Sequence, residues 1–275
     1  MQRAFIGGLV AVVATSLVGT WVVLRGLAFL GDALAHGVIP GVAIATLAGI
    51  SPIIGAFVAA LIMSGLVSVV SNRTPVRDET AIGLLFVGML SLGIIIVSKS
   101  SSFSTDLTAL LFGDILGVTD DDITTQLAIT VIAIVVMVSL YRPLLALAFN
   151  RTKAITLGMR PALTQSALLA LVALSIVASF QAVGTLLVFG LLVGPPATAS
   201  LVVRRVPAIM ALSMAVGAVC VVAGLLISFH HGTAGGATIT ALTVAAFFAV
   251  FIAREIATQV RRAATSTQPN LGLRP

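Results

Sequence analysis

The sequence predicts an all-α polytopic membrane protein with about nine transmembrane helices, eight at the least. Hydrophobic residues make up 59% of the 275 residues and charged residues only 9%. The mean hydropathy is +1.19, which leaves too little polar surface to cover a soluble domain. The apolar residues also fall into runs of about 20, the length of helix that crosses a hydrocarbon core.

Nine apolar runs fit this length. They are Ala4–Leu24, Ala28–Leu47, Pro52–Val70, Thr80–Ser98, Ile123–Leu140, Leu163–Phe180, Val183–Val203, Pro207–Phe229 and Ala234–Ala253. The first run follows a single Arg3 and has no small-residue cleavage site, so we interpret it as a retained span and not as a signal peptide. The seventh contains Pro195 and Pro196, which remove two backbone donors and favour a broken helix. If one of these two runs does not cross the membrane, the count is eight.

The basic residues predict the orientation. With nine crossings they fall on one side, which the positive-inside bias assigns to the cytoplasm: Arg25, Arg73, Arg77, Arg142 through Arg160, Arg204, Arg205, Arg254, Arg261 and Arg262. The amino terminus is then outside, and residues 256–275 form a disordered cytoplasmic tail. The other side receives Lys99, acidic residues and two histidines. We expect a multi-pass protein of the bacterial cytoplasmic (inner) membrane.

Several function classes are excluded. The fifteen Lys and Arg are spread over loops and tail without a basic face, so nucleic acid is not an expected partner. The sequence has no phosphate-binding G-x-x-x-x-G-K-[ST] motif, so the chain does not hydrolyse ATP by itself. A single cysteine, Cys220, provides neither a disulfide framework nor a thiolate metal cluster.

The second apolar run contains two ionisable residues four positions apart. Asp32 and His36 lie in the segment Gly31-Asp32-Ala33-Leu34-Ala35-His36-Gly37. Because residues four apart lie on one helix face, the carboxylate and the imidazole can reach a single point in the bundle interior. Ionisable residues at this depth are typical of ion pathways, and mixed oxygen and nitrogen ligands suit a divalent transition metal. We therefore predict that Asp32 and His36 bind metal.

Three other interpretations of Asp32 and His36 remain open. The pair could form an internal hydrogen bond that only joins helices. It could form the proton relay of a stand-alone, proton-coupled secondary transporter of metal ions. It could hold the metal of an intramembrane hydrolase, although the sequence has no H-E-x-x-H motif and no second intramembrane carboxylate to activate water.

Three sequence blocks identify a family. They are Gly31-Asp32-Ala33-Leu34-Ala35-His36 with Pro40-Gly41-Val42-Ala43, then Asp106-Leu107-Thr108 with Leu111-Phe112-Gly113-Asp114-Ile115-Leu116, and Val183-Gly184-Thr185-Leu186-Leu187 through Leu192-Val193-Gly194-Pro195-Pro196-Ala197-Thr198-Ala199. Together they resemble the membrane-spanning permease subunits of zinc and manganese ABC importers, the ABC-3 family. The resemblance extends from about Leu24 to Ala253.

The resemblance implies a type II ABC importer permease fold over residues 1–255. It implies a homodimer with a path on its axis, a cytoplasmic ABC ATPase subunit beneath each copy and an extracytoplasmic metal-binding receptor. The metal residues of the family correspond to Asp32 and His36. No permanent cofactor is expected, and the transported ion is Zn²⁺ or Mn²⁺. His230 and His231 precede a glycine-rich outer turn and are candidate entrance ligands, although a solvated turn is the simpler interpretation.

Two further segments receive roles. The inner connection at about residues 141–161 corresponds to the family's coupling helix, where Leu147, Ala154, Leu157 and Gly158 are expected to contact the ATPase. Pro195, Pro196 and Thr198 are expected to line or gate the path, because a broken helix is tolerated in a membrane only where protein or water satisfies the freed carbonyls. A plain kinked helix without a transport role is the alternative.

The connection between the fourth and fifth runs, from Ser98 to Asp122, is the longest outer segment. Its apolar residues recur at spacings of three and four, which predicts an amphipathic helix lying at the membrane interface. Asp106 and Asp114 within it are expected to be solvated.

Overall fold

The computed structural model describes residues 2–74, 78–98, 118–149 and 151–266, and every regular element in these ranges is an α-helix. The helices are α1 (Gln2–Leu24), α2 (Ala28–Gly37), α3 (Ile39–Leu47), α4 (Pro52–Arg73), α5 (Asp78–Ser98), α6 (Asp120–Phe149), α7 (Arg151–Thr156), α8 (Pro161–Val183), α9 (Thr185–Val202), α10 (Val206–His231) and α11 (Gly235–Ser266). The all-α membrane fold is therefore confirmed.

All nine predicted runs are helical, but the predicted break at Pro195 and Pro196 in the seventh run is wrong, because one continuous helix passes through both prolines. The second run is the one that is broken, between Gly37 and Ile39. Within the described ranges, eight helical segments are long and apolar enough to cross a bilayer, with α2 and α3 together forming one of them. The remaining run is α9, which has 18 residues. Its Leu187, Leu191 and Leu192 are fully buried and it packs against α1, α2, α10 and α11, so α9 is an enclosed core helix and needs less length than its neighbours.

The centre of the bundle is α1, which packs against α6, α8, α9 and α10. Small residues allow this close packing, as is common in membranes. A Cβ atom at Gly19 would collide with the backbone oxygen of Leu192 on α9, and one at Gly8 would lie 2.8 Å from a methyl group of Val221 on α10. By contrast, α5 and α11 are peripheral, with only 17% of their most apolar window buried.

Each end of the bundle is marked by its own charged residues. At one end, Arg3 Nη2 donates to Asp120 Oδ2 over 2.6 Å, so α1 and α6 begin together. The antiparallel contacts of α1 with α10 place His230 at the same end. At the opposite end, Arg25, Asp78 and Glu79 line a common pocket. Arg25 therefore lies at the end opposite Asp120 and His230, as the sequence predicts.

Three turns end in the same way. Gly26, Gly49 and Gly158 have φ values of 67°, 69° and 71°, a left-handed conformation that glycine adopts without strain. After Gly158, the amide of Met159 donates to the carbonyl of Ala154 at 3.0 Å, while Gly158 itself donates to Ile155 at 2.9 Å. These two hydrogen bonds define a Schellman motif, which ends the helix and redirects the chain.

The predicted start of the tail at residue 256 does not coincide with a helix end. Helix α11 continues to Ser266, because residues 256–266 contain no glycine or proline and are rich in helix-forming residues. Residues 267–275 lie outside the described ranges. The predicted interfacial helix between Ser98 and Asp122 also lies outside them, except for residues 118–121.

Candidate metal site

The second predicted span is broken into two short helices, and the predicted metal residues lie on the first of them. Helix α2 ends at Gly37 and α3 begins at Ile39. Pro40 has no N–H to donate to the carbonyl of His36, so a continuous helix is disfavoured at this point. Asp32 and His36 are one turn apart on α2, and His36 Nε2 lies 3.5 Å from Asp32 Oδ1. The predicted convergence of the two side chains is present.

Glycines on the other side of α2 fix its position. A Cβ atom at Gly31 would collide with the side chains of Leu192 and Phe189 on α9, and one at Gly37 would collide with the sulfur of Met63 on α4. Leu30, Ala33 and Leu34 on this side are fully buried. Because α2 packs this closely against α4 and α9, the backbone that holds Asp32 and His36 has little freedom to move.

Asp32 and His36, the predicted metal pair, lie on the open face of α2. The side chain of Asp32 is 33% exposed and that of His36 is 28% exposed. They belong to the surface of the single chain, which corrects the expectation of a site enclosed in the bundle interior. Beside them, a groove of about 430 Å³ runs between α2 and α5, lined by His36, Ile39, Phe86, Leu90, Ile94, Val97 and Ser98.

The described part of a single chain does not gather a full set of metal-ligating side chains at Asp32 and His36. Among the described residues, no group of three or more His, Cys, Asp and Glu side chains is close enough to hold an ion. Asp32 and His36 together offer one carboxylate and one imidazole, whereas a tetrahedral site needs four ligands. The arrangement in a single chain is therefore half of a possible four-ligand site.

His230 and His231 lie far along the chain at the end of α10, and both are exposed. The ring nitrogen Nδ1 of His230 is 2.9 Å from the carbonyl oxygen of Leu226, a geometry that makes Nδ1 a donor and leaves Nε2 facing outward. Gly232 then ends the helix with φ of 64°. Among the described residues, neither His230 nor His231 lies close enough to Asp32 and His36 to form a metal-binding group with them.

Pro195 and Pro196 lie inside α9, and both are buried, as is Thr198. Pro195 packs toward Gly217 of α10 and Pro196 toward Gly19 of α1. The hydroxyl of Thr198 donates to the carbonyl of Gly194 at 2.8 Å. All three residues therefore lie within the core of the protomer and do not line an open path in this structure. A gating role for them stays a prediction.

The coupling segment divides into buried and exposed residues. Leu147 and Ala154 are buried against the protein's own helices, at 7% and 1% exposure, which removes them from any surface that a partner could reach. Leu157 and Gly158 are exposed. Phe149 and Ile155, which the sequence did not single out, are exposed large apolar side chains in the same segment. The exposed large apolar side chains in the described part of this segment are therefore Phe149, Ile155 and Leu157.

Asp32 and His36 also have an aromatic neighbour that the sequence does not mark. Phe86 on α5 lies with its ring centroid 6.0 Å from that of His36 and 5.6 Å from that of Phe29, in edge-to-face arrangements. Phe86 is one of many apolar residues in its span, so no local pattern marks it. Only the packing of α2 against α5 identifies it.

These features define a class of protein: a polytopic membrane protein with a carboxylate and an imidazole paired on the open face of its second span. A family model described as the ABC 3 transport family matches residues 1–254. The chain belongs to this family.

Known proteins are similar over most of the chain. The manganese import system permease protein ScaB of Streptococcus parasanguinis is 36% identical over 91% of this chain and 89% of its own length. The manganese transport system membrane protein MntC of Halalkalibacterium halodurans is 32% identical, over 91% and 86%. A chain in the solved structure of PsaBC from Streptococcus pneumoniae in complex with Fab has a TM-score of 0.79 and 32% identity, covering 91% of this chain and 90% of that one.

Proposed function

We propose that this chain is the permease subunit of an ATP-driven importer of a divalent transition-metal ion. The observation that carries the proposal is the pairing of Asp32 with His36 on a half-exposed face of an otherwise apolar span. Ionisable side chains at membrane depth are costly when they face lipid, and they normally face a bundle interior or a water-filled path. The open face of α2 therefore needs a cover other than lipid.

A second copy of the chain is the cover that also completes the site. A two-fold axis beside α2 would bring two carboxylates and two imidazoles together, enough for a four-coordinate ion. The two negative charges would offset the cost of placing a 2+ ion in the membrane. The incomplete ligand set of one protomer and the partial exposure of both side chains support this arrangement.

The ligand chemistry fits Mn²⁺ and Zn²⁺. Carboxylate oxygen suits manganese and imidazole nitrogen suits zinc. ScaB and MntC are named for manganese, which favours Mn²⁺ as the first ion to test, with Zn²⁺ as the second. His230 and His231, exposed at the acidic end, are proposed as weak entrance ligands for the arriving ion.

The partners follow from the surfaces at the two ends. At the cationic end, which we assign to the cytoplasm, Phe149, Ile155 and Leu157 expose apolar side chains beside the short helix α7. An apolar helical segment in this position fits a groove of a separate ATPase subunit. An extracytoplasmic receptor would deliver the ion at the acidic end. ATP binding and hydrolysis would then rock the two copies between outward-open and inward-open states.

Substitution of the metal pair tests the proposal in the complete transporter, reconstituted in proteoliposomes with its ATPase and receptor. Asp32→Asn and His36→Gln keep similar volumes but remove one metal ligand each. We expect each variant to reduce ATP-dependent Mn²⁺ uptake by about a hundredfold or more, with normal amounts of protein in the membrane. Asp120→Asn is the matched control, because it removes an ionisable pair at the outer end without touching the site.

Two results would contradict the proposal. Uptake at the wild-type rate in both Asp32→Asn and His36→Gln would remove the pair from the ion path. Uptake that is driven by a proton gradient, and that needs no ATPase subunit, would instead indicate the stand-alone secondary transporter.

A further inference from the structure

We propose that Phe86 is a positioning residue for the metal site, which holds the His36 imidazole in the orientation that directs Nε2 toward Asp32. This inference rests on the proposed metal-binding role of His36. Phe86 has no atom that could bind the ion, so its effect is exerted through the histidine.

The ring of Phe86 on α5 contacts two rings on α2, those of Phe29 and His36. Phe29, Asp32 and His36 lie on one face of α2, at spacings of three and four residues. Phe86 contacts Phe29 with an interplanar angle of 77° and His36 with an angle of 63°. The ring of Phe86 therefore packs beside His36 on the side of the imidazole that faces α5.

The position of Phe86 along α2 is fixed by the backbone. Two turns further along α5, a Cβ atom at Gly93 would lie 2.9 Å from a methyl group of Ile39 and 3.2 Å from the backbone nitrogen of Pro40. This close approach holds α5 against the break between α2 and α3. Helix α5 also packs against α3 and α4, and the Gly93 contact adds to the packing that sets the height at which Phe86 meets His36.

An oriented imidazole matters here because His36 is not enclosed. A histidine side chain that is about a quarter exposed can adopt several rotamers, and only some of them place Nε2 beside Asp32. Edge-to-face contact with an aromatic ring stabilises one of these orientations by a factor of about two to ten. The same ring occupies space that water would otherwise fill next to the pair.

The expected consequence is a different loss of affinity for Zn²⁺ and for Mn²⁺. If Phe86 acts through the imidazole, its loss weakens the nitrogen ligand and leaves the carboxylate in place. Zinc depends more on imidazole than manganese does. Loss of the ring is therefore expected to reduce the affinity for Zn²⁺ more than the affinity for Mn²⁺.

The test measures dissociation constants for Mn²⁺ and for Zn²⁺ by calorimetry on the permease with its ATPase in nanodiscs, without the receptor, because the metal site of the receptor would mask that of the permease. Phe86→Leu removes the ring and keeps most of the apolar volume, while Phe86→Tyr keeps the ring. Leu90→Ala is the matched control, since Leu90 lines the same groove one turn further along α5. We expect Phe86→Leu to weaken Zn²⁺ binding about tenfold and Mn²⁺ binding about threefold. Phe86→Tyr and Leu90→Ala should stay within about twofold of wild type.

The alternative results are distinguishable. An equal loss for both ions, or a loss in Leu90→Ala as large as that in Phe86→Leu, shows a general packing role for α5 and overturns the inference. Unchanged affinities in Phe86→Leu overturn it as well, while His36→Gln, measured in parallel, still tests the proposed function. Unchanged affinities in His36→Gln would overturn both.

Discussion

Two pairs of a basic and an acidic side chain in the described ranges have contact distances that rank them in the opposite order to their expected importance. Arg3 and Asp120 approach to 2.6 Å at the end of the bundle where α1 begins, with side chains that are 60% and 71% exposed. His36 and Asp32 are 3.5 Å apart, but they lie half-buried on a span of apolar residues. The closer pair is mostly exposed to solvent, whereas the looser pair lies where no water is expected unless a path provides it.

This difference shows that location matters more than contact distance. A surface pair gains little, because water screens the charges and the long side chains lose conformational freedom. At membrane depth each charged group is costly by itself and is retained only where it has a function. The 3.5 Å separation also leaves both Asp32 and His36 able to turn toward an ion.

The largest effect in this comparison is expected from a substitution that displaces Asp32 and His36 but leaves both side chains unchanged. In Gly37→Ala, the new methyl group collides with the sulfur of Met63 and displaces α2 by a fraction of an ångström. We expect metal uptake to fall about tenfold, because small misplacements of a site are costly. The protein should remain folded, since methionine is flexible.

Two variants control this prediction, with uptake and membrane abundance as the measurements. Gly65→Ala places a methyl group on α4 in open space and should leave uptake unchanged. Met63→Val in the Gly37→Ala background should restore much of the loss by making room. A Gly37→Ala protein with normal uptake would show that the position of α2 is not critical.

A smaller effect is expected at Leu157. This apolar side chain is exposed where water is expected, whereas Asp32 and His36 are polar side chains within an apolar span. Leu157 is 67% exposed at the cationic end. Leu157→Asp should reduce receptor-stimulated ATP hydrolysis about fivefold, the effect of losing one apolar anchor in an interface. Leu157→Met keeps the apolar character and should retain stimulation. Full stimulation in Leu157→Asp would remove this residue from the ATPase contact.

The smallest effect is expected from breaking the pair of Arg3 with Asp120. Arg3→Gln breaks the ion pair with Asp120, and a solvated pair contributes about 0.2–1 kcal/mol. We expect the thermal midpoint to shift by no more than a few degrees and uptake to stay within about twofold of wild type. A large loss of uptake would give this end of α1 a role that its solvation does not suggest.

The sequence predicted the helical fold and the pairing of Asp32 with His36, because hydropathy and the spacing of four residues are local properties. It could not separate Leu147 and Ala154 from Leu157, since burial there depends on how α7 folds back onto its neighbours. The enclosure of Pro195 was hidden for the same reason, as it depends on close packing against Gly217. Phe86 meets His36 across fifty residues of sequence, and no period within one helix reports such a contact.

In the proposed dimer each chain contributes two of the four metal ligands, and this has a genetic consequence. A cell that makes wild-type and Asp32→Asn chains in equal amounts, pairing at random, would have about one quarter of its transporters intact. One defective allele would then inactivate its healthy partner, so the mutation would behave as dominant. A transporter with a complete site in every chain would keep half of its capacity.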